Sequence, residues 1–124
     1  MMEVALVFDK EGKTMTWHLP PGRSGGYIPD SHDLWTFLWD HRDTIGGVAH
    51  THPWDGAAWP SHTDVTTFNA IERGLGVRLT WAVITFSDEG YFAWSDEKKQ
   101  YERLSSSPIQ VEGVQELRNK SKEG

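Results

Sequence analysis

The residues of this chain best equipped for chemistry lie between Gly46 and Asp64, in the run Gly-Gly-Val-Ala-His-Thr-His-Pro-Trp-Asp-Gly-Ala-Ala-Trp-Pro-Ser-His-Thr-Asp. His50 and His52 are separated by one residue, so on an extended backbone both imidazoles project from one face and can reach a common ion. Pro53 ends that extended stretch. Ser61 and Asp64 follow at the spacing of a helical capping box, which sets a carboxylate in a first helical turn. Two neutral nitrogen donors and one oxygen donor suit a tetrahedral zinc ion whose fourth position stays open to water. Taken singly the halves of the pattern are common, since His-x-His occurs in many edge strands and Ser-x-x-Asp opens many helices with no metal near. Their conjunction at this spacing is what carries the signal. Asp55 competes with Asp64 as oxygen donor, but it belongs to an Asp-Gly pair, where an aspartate commonly bonds to its own turn.

His50-Thr51-His52-Pro53 followed by Ser61-x-x-Asp64 resembles the signature of the JAB/MPN (JAMM) metalloproteases, which include isopeptidases that remove ubiquitin and ubiquitin-like modifiers. The interval of eight residues between His52 and Ser61 is one longer than the commonest form, a small departure within a loop. More weakly, the resemblance extends from about Glu3 to Trp94. It implies that His50, His52 and Asp64 hold one Zn2+ ion, that Ser61 sits beside the metal and donates to the developing oxyanion, and that a glutamate heading an upstream strand is the general base. Glu3 matches that position best, and Glu11, in a predicted turn, is the fallback. Only Met1 and Met2 precede Glu3, and chain ends fray unless a sheet ties them down.

The implied fold is α/β, a cytidine-deaminase-like MPN sandwich with a mostly antiparallel curved sheet flanked by two helices. The implied function is zinc-dependent hydrolysis of amide bonds, as an isopeptidase or peptidase acting on a ubiquitin-like tail or a short peptide. Arg23 and Tyr27, in the loop that borders the cleft in relatives, become candidate substrate contacts. Trp54 and Trp59 either wall the substrate groove or stack on each other to stiffen their loop. A non-catalytic MPN-like interaction module is the alternative reading, although modules of that kind typically lose a ligand. Rival metal folds fit less well. Amidohydrolase barrels need roughly 250 residues, and the metallo-β-lactamase pattern His-x-His-x-Asp-His has Trp54 where its aspartate belongs.

The elements that must position these groups follow from periodicity. Glu3–Phe8 and Thr14–Leu19 alternate as two strands around the turn Asp9–Gly12, a hairpin. Pro20–Asp30 is a loop by composition. Leu34, Phe37, Leu38 and His41 recur at helical spacing from a cap at Asp30 or Ser31. Gly46 and Gly47 release the chain into the histidine strand. A second helix runs from Ser61 to about Arg73 with Gly74 as its stop, and His62 is expected to face solvent. Val77–Phe86, apolar on both sides, reads as a central strand, and Tyr91–Ser95 returns from it. Lys98–Leu104 forms one more strand or a short helix.

At 124 residues the chain is long enough for one core and too short for two. The expected division is a metalloprotease-like domain over 1–104 and a polar, partly mobile tail over 105–124. A net charge of −6, from 18 acidic against 12 basic residues, disfavours a nucleic-acid partner bound through phosphates. There is no cysteine, hence no disulfide framework and no thiolate site. The start lacks a secretory signal and no apolar stretch is long enough to cross a bilayer, so a cytoplasmic protein without membrane association is expected. Most of the seven tryptophans are expected in the core. Oligomeric state is not legible.

Overall fold

The computed structural model describes residues 1–26 and 31–123. Two apolar-alternating runs pair first: β1 (Ala5–Asp9) and β2 (Thr14–His18) form the expected hairpin, with Ala5 opposite His18 and Leu6 opposite Trp17. After the loop, α1 (His32–Asp40) begins where the Ser31 hydroxyl accepts the Leu34 amide at 3.0 Å. β3 (Ile45–Thr51) then carries the histidines into the sheet, and α2 (His62–Leu75) crosses over to β4 (Thr80–Ile84). β5 (Glu89–Ser95) and β6 (Gln100–Arg103) complete the strands, and α3 (Val114–Glu123) ends the chain.

The six strands form one open sheet in the order β2-β1-β3-β4-β5-β6. β3 and β4 run parallel, as a strand pair joined by a crossover helix must, and the other pairs are antiparallel. The result is a small α/β fold with a mostly antiparallel sheet.

Period-2 alternation sends each strand's residues to two separate cores. Ala5, Val7, Val48, Trp81 and Val83 face α1 and α2, where Leu38, Phe68 and Leu75 cover them. Leu6, Phe8, Ala49, Ala82 and Ile84 face the other way, against Val111 and Leu117. That second face requires a helix the sequence reading did not supply. The segment expected as a polar tail instead contains α3, because Val114, Leu117 and Ser121 recur at helical spacing and make a narrow stripe that average polarity conceals. Leu117 and Ser121 are fully buried. Among the described residues, three helices therefore flank the sheet, two on one face and one on the other.

Two glycine assignments also change. Gly46 and Gly47 lie inside β3 instead of leading into it, and the close approach of neighbouring strands requires glycine at both, since a Cβ would strike the Asp9 carbonyl oxygen at Gly46 and the Thr80 carbonyl oxygen at Gly47. Gly74 does not stop α2: it is a helical position over which the Trp35 indole lies, and the stop is Gly76, left-handed at φ +72. The tryptophans are less buried than expected. Trp81 is 2% exposed, whereas Trp35, Trp39, Trp54 and Trp59 are 39–55% exposed.

Candidate metal centre

His50 lies within β3, and His52 follows directly after its last residue. Every residue of β3 is buried, and His50 is paired on one side with Ala5 and on the other with Val83. The His52 amide extends the ladder, donating to the Ile84 carbonyl at 2.9 Å. Both imidazoles lie on the α2 side of the sheet, and the Phe68 ring, stacked on Trp81 at 4.3 Å, meets His50 edge-on.

The third group arrives with the capping box. At the start of α2 the Asp64 amide donates to the Ser61 hydroxyl at 3.0 Å, and the Ser61 amide donates back to Asp64 Oδ2 at 2.8 Å. The same Oδ2 is 3.1 Å from His50 Nε2 and 3.0 Å from His52 Nε2, and the two Nε2 atoms are 3.2 Å apart. Three potential ligand atoms thus form a nearly equilateral triangle. Zinc bonds of 2.0–2.2 Å in a tetrahedron imply ligand separations of about 3.3–3.5 Å, so the triangle needs to open by only a few tenths of an ångström. Among the described residues, His50, His52 and Asp64 form the one group placed to hold a metal ion. The donors fit a borderline divalent cation such as zinc.

The charge state of Asp64 suits that role. Burial raises its pKa, but hydrogen bonds from His50 and His52 outweigh burial and hold the carboxyl far below the usual range. It remains an anion, as a ligand must. The His52 ring is further fixed by Trp54, whose indole stacks on it at 4.6 Å.

Glu3 belongs to the same neighbourhood. The register that sets Ala5 opposite His50, continued by two residues, brings Glu3 opposite His52 and onto the same face. Glu3 is 6% exposed. Burial raises its pKa, and the charges that act on it are those of His50, His52 and Asp64. Glu11 lies at the other end of β1, in an exposed turn where its amide bonds Asp9 Oδ1 at 2.8 Å. As an alternative base it is too remote.

The remaining residues separate into those near the centre and those elsewhere. Ser61 caps α2 through its oxygen lone pair, which leaves its O–H proton uncommitted. Trp54 and Trp59 do not stack on each other: Trp59 packs on Phe92 at 5.4 Å, beneath the Arg103 guanidinium. Asp55 is exposed and outside the ligand triangle. His62 is exposed, as expected. Tyr27 lies outside the described residues.

Periodicity overlooked three polar residues that hold this arrangement. Glu72, whose side chain is 1% exposed, accepts from Arg78 Nη1 at 2.7 Å, Leu79 N at 2.9 Å, Trp81 Nε1 at 2.8 Å and Tyr101 Oη at 2.6 Å. It locks the far end of α2 to β4 and β6. The available signal was its position: four residues after Phe68 and three before Leu75, it is a carboxylate on an apolar stripe. The other two, Thr51 and Ser121, anchor the N-terminus.

No family profile and no curated protein sequence matches this chain. The resemblance to the JAB/MPN metalloproteases rests on the motif residues alone.

Proposed function

We propose that the protein is a zinc-dependent hydrolase of amide bonds, of the JAB/MPN type, acting on a peptide or on the tail of a ubiquitin-like modifier. The observation that carries this reading is the convergence of His50 Nε2, His52 Nε2 and Asp64 Oδ2 within 3.2 Å of one another, on the face of the sheet to which the register also assigns the buried Glu3. A zinc ion held there would polarise a carbonyl and lower the pKa of water towards about 7. The protein's own groups do the rest. Glu3 accepts the proton of the attacking water and returns it to the departing amine, a role worth roughly 10² to 10⁴ in rate. Ser61 donates its free O–H to the developing oxyanion.

Trp54 and Trp59, both about half exposed beside the motif loop, offer flat apolar walls for an extended substrate. The six-stranded sheet with a parallel β3–β4 pair is compatible with an MPN-type sandwich, in which α3 would be the additional layer. Retention of all three ligands disfavours a purely structural module. No described helix is long and apolar enough to cross a membrane.

Metal analysis of protein purified without added zinc is expected to find about one ion per chain, lost in His50→Ala and Asp64→Ala and kept in Asp55→Ala. Glu3→Gln is expected to keep the metal and lose hydrolysis of both ubiquitin-like conjugates and short peptides. Full hydrolysis by Glu3→Gln, or metal retention by Asp64→Ala together with metal loss in Asp55→Ala, would overturn the assignment.

A further inference from the structure

A base at the third residue of a chain needs something to hold it still, and the structure provides a closed set of hydrogen bonds around that residue. The Val4 amide donates to Thr51 Oγ1 at 2.9 Å. Thr51 Oγ1 donates to Ser121 Oγ at 3.1 Å, and Ser121 Oγ donates to the Met2 carbonyl at 2.6 Å. The chain of donors thus begins at the amide after Glu3, passes through two buried hydroxyls, and ends at the carbonyl before it. Backbone bonds reinforce the bracket: Met2 N to Ser121 O at 3.0 Å, Thr51 N to Val4 O at 2.9 Å, and Glu3 N to Ser24 O at 2.8 Å. Thr51 is 1% exposed and Ser121 is fully buried, so neither hydroxyl has water as a substitute partner.

Thr51 lies between the two histidines in sequence but points to the opposite face of the sheet, towards α3. The metal triangle on one face and the hydroxyl bracket on the other therefore share one strand. We propose that Thr51 and Ser121 are positioning residues for Glu3, so that α3 belongs to the hydrolytic unit: its Ser121 hydroxyl helps to fix the base, while the end of β3 and the start of α2 fix the metal ligands. The inference rests on the hydrolase reading given above.

Displacing a catalytic group by about 1 Å costs on the order of 10²-fold in rate. Thr51→Val, which keeps the shape and removes the hydroxyl, is therefore expected to lower kcat by about 10- to 100-fold, with KM and zinc affinity within about twofold of wild type. Thr51→Ser restores kcat, and Ser121→Ala reproduces the Thr51→Val loss. Hydrogen exchange read without substrate is expected to show the Val4 amide protected in the wild type, in Thr51→Ser and in Ser121→Ala, where Thr51 Oγ1 still accepts it, and exposed in Thr51→Val. Wild-type kcat in a variant whose Val4 amide has become exposed overturns the proposal, as does unchanged protection of Val4 in Thr51→Val. A wild-type protein that binds zinc, protects Val4 and cleaves neither conjugates nor peptides refutes the hydrolase reading and with it the catalytic role of the bracket.

Discussion

Removing the Glu72 carboxylate should loosen α2 from the sheet by a predictable amount. The group is buried and serves four donors, but these are not equal. The Leu79 amide and the Trp81 indole N–H are buried, so in Glu72→Ala each loses its acceptor at about 1–3 kcal/mol. Arg78, whose side chain is 55% exposed, turns to solvent, and a screened pair of that kind contributes little. The expected cost is therefore about 4 kcal/mol, a large part of a stability of about 5–15 kcal/mol. Glu72→Gln discriminates the cause. Its amide oxygen can take the place of Oε2 and keep both buried donors, while its NH2 faces Arg78 and Tyr101 in the place of Oε1. The Tyr101 hydroxyl can rotate to accept and the arginine cannot, so the cost should be about 1–2 kcal/mol. Urea unfolding of the metal-free proteins measures both, with the midpoint falling by about 2 M for alanine at a slope of about 2 kcal/mol/M. Equal losses in the two variants would refute the reasoning, because burial of two backbone and indole donors would then not be what Glu72 satisfies. A loss below about 1 kcal/mol in Glu72→Ala would refute it outright.

Three other outcomes follow from the same structure. Because burial raises the Glu3 pKa, its ionised form opposes folding. Metal-free Glu3→Gln should melt higher than wild type near neutral pH, and the gain should vanish as pH falls below about 4.5, where the free carboxyl is also protonated; a lower melting point at neutral pH would contradict the burial argument. Tyr91 is pushed up to about 12, first by burial and also by its hydrogen bond to Glu89. Its contribution to stability is complete below about pH 10 and is lost as pH rises through about 12, so absorbance at 295 nm should record a phenol titrating near 12, and a midpoint near 10 would mean an exposed ring. Zinc at about 100 times its Kd should stabilise the wild type by roughly 2.7 kcal/mol and leave Asp64→Ala unchanged; chelation should reverse the wild-type shift.

The sequence by itself determined the local parts of this protein. His-x-His on an alternating run fixed two imidazoles to one face, because side chains on a strand repeat every second residue. Ser61 and Asp64 specified a capping box, because both partners lie within one helical turn. The hairpin and the first two helices were legible for the same reason. Tertiary structure decided everything that depends on residues far apart in the chain. That Asp64 Oδ2 reaches both histidines follows from α2 crossing over to a strand parallel to β3. Glu3 is held because Thr51 and Ser121 meet there from positions 47 and 119 residues away from their backbone partners Val4 and Met2. Composition made 105–124 look like a tail, because the three residues that bury α3 are outnumbered by polar neighbours on its solvent face. Helical and strand periods encode which way a side chain points, but they carry no information about what stands opposite, and the chemistry of this site depends on what stands opposite.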